Sequence, residues 1–247
     1  MDLGLKDRTA IVCGASSGLG LATAEALAGE RANVSMFARR REVLEREAER
    51  LGALAVRGDV TNPRDLETLV DRTVEAFGGI DILVWNSGGP PPGRAVGLTR
   101  EAIEEAVELL LVPAVRLVDL CLSHLVQSQA GRILVFTSIA AKEPVGHIAL
   151  SNAVRPGVTG WAKTLSRELG PRGVTVNCLA PGKIQTARQE QLSPQGPTEE
   201  EIAAIPLGRL GTPQEVGDVA CFLASDRASY VTGTTVVVDG GASRGLF

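Results

Sequence analysis

Glycines, arginines and hydroxyls in this chain stand at spacings suited to chemistry. Gly14-Ala15-Ser16-Ser17-Gly18-Leu19-Gly20 directly follows the apolar run TAIVC and precedes an alanine-rich segment. Glycines so placed let the backbone turn tightly, approach a pyrophosphate and seat a helix N-terminus behind its negative charge. A GxxxGxG turn alone is unspecific, but its place between a strand and a helix favours dinucleotide binding. About 20 residues further on, where a free ribose calls for an acidic side chain, stand Arg39, Arg40 and Arg41. Three arginines at a helix start oppose the helix dipole, and a bound 2′-phosphate relieves that arrangement, so the sequence predicts NADP in preference to NAD. The alternative is a solvated basic turn offset by Glu42 and Glu45. The candidate reacting groups are Ser138 at the end of a strand-like run, Ser151 and Arg155 four residues apart, and Lys183 directly after Pro181-Gly182.

Positioning these groups requires an ordered scaffold. Seven short apolar runs, TAIVC, NVSMF, ALAV, DILVW, RILVF, VTVNC and TTVVVD, alternate with longer amphipathic segments. That rhythm predicts an α/β fold, a Rossmann-like doubly wound parallel sheet of about seven strands with helices on both faces. No linker divides the chain, so residues 1–247 are expected to form a single dinucleotide-binding and catalytic domain. Helix starts are signalled by Asn62-Pro63 and by Thr212-Pro213-Gln214-Glu215, a capping box with proline at the first helical position. Segments 86–97 and 183–197 look like loops at the carboxyl ends of strands, where ligands bind in open sheets.

Composition narrows the classes. Of 247 residues 44% are hydrophobic and only 3% aromatic, so the core is built from Ala, Val, Leu and Ile. A formal charge of −4 argues against a general nucleic-acid binder. Cys13, Cys121, Cys178 and Cys221 form no CxxC pair, which gives neither a metal pattern nor a disulfide framework and suits a cytoplasmic protein. The N-terminus has no long apolar run behind a basic segment, and the apolar stretch from Leu109 to Val126 is interrupted by Pro113, Arg116 and Asp119, so no export signal or membrane span is expected.

With these motifs the chain resembles the short-chain dehydrogenase/reductase family, particularly its 3-oxoacyl-[acyl-carrier-protein] reductases, over nearly its whole length. Gly14, Gly18 and Gly20 match the family's glycine loop, with Cys13 in place of its usual threonine. Asp59-Val60 matches the pair that holds adenine, and Asn86-Ser87-Gly88 resembles the end of an NNAG motif whose first asparagine is replaced by Trp85. Pro181-Gly182-Lys183-Ile184-Gln185-Thr186 is similar to the PGxIxT segment that positions the nicotinamide carboxamide. PLGRLGTPQEV and YVTGTTVVVDGG resemble segments that build the core and the usual homotetramer contact. The resemblance implies NADP(H)-dependent reduction of a carbonyl compound, or oxidation of the matching alcohol, on a small-molecule or acyl-carrier-linked substrate.

In that family a serine polarises the carbonyl, a tyrosine donates the proton, and a lysine lowers the tyrosine's pKa while holding the ribose; an asparagine further back anchors a water relay. Ser138 matches the serine. Thirteen residues later the tyrosine position holds Ser151, the lysine position holds Arg155, and the asparagine position aligns with Leu110. A serine hydroxyl is shorter and a poorer acid than a phenol. Arg155 can hydrogen-bond ribose hydroxyls but cannot relay a proton at neutral pH. Pro156 is expected to delay or kink the helix that carries both. Pro113 is expected to break the helix beyond Leu110 and free the carbonyl of Leu109, where a water site can survive. Replacement acids are His147, four residues before Ser151, and Lys183, since a desolvated lysine can become a usable acid. The competing expectation is a catalytically inactive NADP-binding sensor or partner subunit of an active relative.

Overall fold

Every apolar run identified above becomes a strand. The computed structural model describes residues 1–246, and the last residue of the expected domain, Phe247, lies outside the described residues. The strands are β1 (Thr9–Cys13), β2 (Asn33–Ala38), β3 (Leu54–Arg57), β4 (Ile82–Trp85), β5 (Arg132–Phe136), β6 (Thr175–Pro181) and β7 (Thr235–Val238). All pair in parallel, in the order β3-β2-β1-β4-β5-β6-β7. The order reverses between β1 and β4, and the carboxyl ends of the strands there open the crevice in which sheets of this kind bind ligands.

The helices are α1 (Gly18–Gly29), α2 (Arg41–Leu51), α3 (Pro63–Phe77), α4 (Arg100–Leu110), α5 (Val112–Gln127), α6 (Ala149–Leu169), α7 (Ala187–Leu192), α8 (Glu199–Ala203) and α9 (Pro213–Ala224). Alternate strand residues divide the core between them. Ile11, Leu83, Trp85 and Ile133 face α3 to α6, whereas Val12, Met36, Val84 and Leu134 face α1, α2 and α9. A sheet buried on both faces needs apolar residues at successive positions, which is why its strands stand out as uninterrupted runs. Each such Val, Leu or Ile contributes about 1.5–3 kcal/mol when fully buried.

Both signalled helix starts are used. Asn62 accepts the Arg64 N–H at 3.1 Å with Pro63 at the first helical position, and Thr212 and Glu215 form a reciprocal capping box. Losing such a cap typically costs about 1 kcal/mol. The sheet also corrects three expectations. β6 continues past Cys178 to Pro181 because Cys178–Pro181 pairs with Thr235–Val238. Segment 183–197 is not all loop: Thr186 accepts the Gln189 N–H at 3.3 Å and starts α7. α6 does not start late, but begins at Ala149 and continues through Pro156 to Leu169. Leu150, Val154, Val158, Ala162 and Leu169 bury its inner face, enough to offset the roughly 3 kcal/mol cost of an interior proline.

The expected break at Pro113 is present as the junction Leu111 between α4 and α5. By length and composition Arg100–Gln127 passes for a membrane-crossing helix, with a mean hydropathy of 1.9 over its most apolar window. Its residues Leu110, Leu117, Cys121 and Leu125 nevertheless lie in the core beside the sheet, which accounts for that hydropathy.

Candidate active site

The glycine turn after β1 is shaped by close backbone approaches. Gly14 has φ +64°, and a Cβ there would lie 2.7 Å from both the carbonyl oxygen and Nδ2 of Asn86. A Cβ on Gly20 would lie 2.3 Å from the Gly14 carbonyl oxygen. Gly18 faces the Thr186 methyl, which would be 3.4 Å from an added Cβ, so the PGxIxT segment meets the glycine turn. Leu19 and Val60 are half-buried and pack on the two apolar clusters, and Asn86 and Ser87 are half-buried beside an exposed Gly88. Pro181 and Ile184 are buried, while Gly182 approaches Asp239 where a Cβ would be 2.6 Å away.

The arginine run separates into three different groups. Arg40 reaches back to the turn, with Nη2 donating to Ser17 Oγ at 2.9 Å and to Ser16 Oγ at 3.3 Å. Ser17 precedes α1 without a side-chain cap, so its hydroxyl oxygen serves Arg40. Arg39 is exposed, 3.8 Å from the Asp59 carboxylate, which accepts from Thr61 N–H and Oγ1. Arg41 lies 3.9 Å from Glu45. The solvated-turn arrangement therefore describes Arg41, whereas Arg40 is committed to the glycine turn.

At the opposite side of the crevice Ser138 opens a short helical turn, and its Oγ accepts the Ala140 N–H at 3.2 Å, leaving the hydroxyl proton available. Ser151 is buried in the first turn of α6 and accepts from Arg155 Nε at 3.2 Å. Arg155 is buried too. Its Nη1 donates to the carbonyls of Thr137 at 2.8 Å and Phe136 at 3.3 Å, and its Nη2 to that of Gly88 at 2.6 Å. Four of its five N–H groups are thus engaged, and the guanidinium ties the carboxyl ends of β4 and β5 together. Burial, with a smaller repulsion from Arg188, pushes its pKa down to about 10, so it stays charged at neutral pH. Arg188, on α7, donates through Nη2 to the Pro90 carbonyl and packs on Gly89. Sequence reasoning missed Arg188; the available signal was its position two residues after Thr186.

The chain is similar to known proteins over nearly its whole length. A family model described as enoyl-(acyl carrier protein) reductase matches residues 14–243. The 3-oxoacyl-[acyl-carrier-protein] reductase of Vibrio cholerae is 35% identical over 97% of this chain and 98% of its own. The L-sorbose reductase of Gluconobacter frateurii, solved with NADPH and L-sorbose, is 30% identical with a TM-score of 0.93 over the whole of both chains. An NADPH-bound short-chain oxidoreductase of Pseudomonas aeruginosa containing an atypical catalytic centre is 30% identical, with a TM-score of 0.91 over 98% of this chain and 99% of that one. The chain belongs to the short-chain dehydrogenase/reductase family of oxidoreductases. The resemblance carried by its motifs is borne out.

Within a short-chain dehydrogenase/reductase, the departures at Cys13, Trp85 and Leu110 now have a common location. All three side chains are buried in one apolar cluster under the crevice, beside α4 and β4. Of the replacement acids, His147 is exposed at φ +62°, and its carbonyl accepts the Gly93 N–H at 2.8 Å. Lys183 forms an ion pair with Glu201 of α8, so its ammonium is already engaged. Tyr230, the single tyrosine, is fully exposed ahead of β7, at the end of the sheet away from the glycine turn.

Proposed function

We propose that the protein is an NADP(H)-dependent carbonyl/hydroxyl oxidoreductase, 3-oxoacyl reductase-like, whose proton chemistry runs without the usual tyrosine and lysine. The observation that carries it is Arg40 bound to Ser16 and Ser17 over a turn that admits no Cβ at Gly14 or Gly20. A phosphate placed there meets a guanidinium and backbone donors together, an arrangement matched to a 2′-phosphate. Similar reductases are solved with NADPH. In this reading Gly14, Ser16, Ser17, Gly18, Leu19 and Gly20 cradle the diphosphate, Arg39 and Arg40 hold the 2′-phosphate, and Asp59 and Val60 hold the adenine. Asn86, Ser87 and Gly88 line the sugar, and Pro181, Gly182, Ile184 and Thr186 hold the carboxamide. The cofactor supplies a hydride from nicotinamide C4.

The chain's own part is the developing negative charge on the substrate oxygen. Ser138 and Ser151 each accept a hydrogen bond from the protein and keep an O–H to donate, so both can polarise that oxygen. Arg155 has one N–H left for a ribose hydroxyl and acts chiefly as a fixed positive charge behind Ser151. Solvent supplies the proton. Lys183 takes that role only when its pair with Glu201 opens.

A second reading, an NADP-binding sensor or partner subunit without turnover, draws on the commitment of Arg155 to carbonyls and the loss of polar groups at Cys13, Trp85 and Leu110. Both readings include a homotetramer, supported by the half-exposed valines of the edge strand β7 and by exposed Phe222 and Tyr230. Calorimetry with NADPH and NADH, followed by an absorbance assay of NADPH consumption on carbonyl compounds, tests the proposal. NADPH is expected to bind about tenfold or more tightly than NADH. Equal affinities sink the cofactor assignment, and tight binding without turnover on any carbonyl selects the second reading.

A further inference from the structure

Two arginines are buried among the described residues, and they are treated differently. Arg132, at the amino end of β5, lies 3.7 Å from the Asp226 carboxylate and donates to the carbonyls of Ser225 and Gly131. Arg155 has carbonyls and a serine hydroxyl, but no described carboxylate lies within 4.0 Å of it. The same holds for half-buried Arg188. The two guanidiniums hold the same segment, Arg155 on the Gly88 carbonyl and Arg188 on Gly89 and the Pro90 carbonyl. Desolvation of both, and the repulsion between them, is therefore left uncompensated by any described acid within 4.0 Å.

We propose that the substrate carries a carboxylate, gripped by Arg188 with the charge of Arg155 beneath it, so that the protein interconverts an oxo acid and the corresponding hydroxy acid. This rests on the NADP(H) reading above. Arg188 uses one of its five N–H groups on Pro90, which leaves enough donors for a two-point carboxylate contact. In the reducing direction the carbonyl carbon gains hydride from NADPH and its oxygen gains a proton from solvent. The C=O bond becomes CH–OH, and NADP⁺ is released. The substrate anion supplies the negative charge that Arg132 finds in Asp226 and that Arg155 lacks.

The shared chemistry is anion binding, and the cofactor's diphosphate is the other possible source, because Arg188 follows Thr186 beside the glycine turn. The experiment titrates NADP⁺-loaded protein with acetoacetate, 3-oxooctanoate and 2-oxobutanoate, and with the methyl ester of each, by calorimetry. At least one acid is expected to bind more tightly than its ester, and Arg188→Gln should weaken that acid about 30-fold while leaving the ester unchanged. Arg188→Lys, which keeps the charge, should retain part of the preference, and NADPH affinity should be the same in all three proteins. The proposal is overturned if no acid outbinds its ester, or if Arg188→Gln weakens NADPH instead. Failure of NADPH to bind the wild type would be a failure of the cofactor reading and is measured separately. Unfolding curves accompany each variant, and Arg188→Lys carries the test if Arg188→Gln does not fold.

Discussion

The two sides of the crevice are built on opposite plans. On the side of β1 and β2, backbone is brought close to backbone by Gly14 and Gly20, and the one arginine committed there, Arg40, bonds only to hydroxyls and remains at the surface. On the side of β5 and α6, Arg155 is buried with four N–H groups already bonded. The first region carries its arginine at the surface; in the second a buried guanidinium ties the carboxyl ends of β4 and β5 together. On the proposed reading, cofactor recognition and proton transfer are therefore separable in this fold.

The largest expected effect breaks the contrast by rebuilding the second side. Ser151→Tyr with Arg155→Lys and Pro156→Ala returns an acid, its neighbouring ammonium and a regular helix. A positioned general acid is typically worth about 10²- to 10⁴-fold, so reduction of simple ketones and 3-oxoacyl thioesters should rise by that order over a slow wild type. Ser151→Tyr alone should do little, because an unassisted phenol has a pKa of about 10. Brisk wild-type turnover lost on Lys183→Ala or His147→Ala would reveal a relocated acid and remove the idea of an impaired site.

Removal of the tie comes next. Arg155→Ala strands the buried carbonyl of Thr137, while water replaces the guanidinium at exposed Gly88, so at about 1–3 kcal/mol for an unsatisfied buried group the net loss should be about 1–3 kcal/mol. Chemical denaturation measures it. A change below 1 kcal/mol, against that expectation, would mean the guanidinium is held for chemistry and not for structure.

How far the sequence disclosed this division follows from what each side depends on. The glycine turn, the capped starts of α3 and α9 and all seven strands depend on neighbours in sequence or on burial of both sheet faces, and local pattern records both. Ser151 and Arg155 were equally legible as an expected departure from a family motif. What Arg155 does instead was not, because Gly88 is 67 residues away and comes beside Thr137 only when β4 and β5 pair. The grouping of Cys13, Trp85 and Leu110 likewise required β1 beside β4 with α4 over them. Arg188 was overlooked because a six-residue helix capped by Thr186 is too short to leave a periodic signal.

Two smaller changes sharpen the first side of the comparison. Arg40→Ala should weaken NADPH about tenfold while leaving NADH nearly unchanged, and Arg39→Asp should reduce the same preference. Parallel calorimetric titrations distinguish them. Equal losses for both cofactors would place Arg40 in support of the turn and not in phosphate recognition.

The smallest effect belongs to the ion pair in the segment after β6. Lys183 follows Pro181-Gly182, while Glu201 caps α8 by accepting the Thr198 N–H at 3.0 Å, so their contact ties the PGxIxT segment to α8. Both side chains are partly exposed, at 28% and 37%, and such a pair contributes less than about 1 kcal/mol. Hydrogen bonds from Lys183 and the Thr198 backbone hold the Glu201 carboxyl below its ordinary range. Its folded pKa is thus lower than its unfolded value of about 4.3: the stabilisation is complete above that pH and is lost as pH falls through the depressed value. Glu201→Gln should remove that increment at neutral pH and flatten the acid limb of the unfolding curve, with cofactor affinity unaltered. If Lys183→Ala instead lowers turnover far more than Glu201→Gln, the ammonium is acting on substrate, and the catalytic side of the crevice extends to the loop after β6.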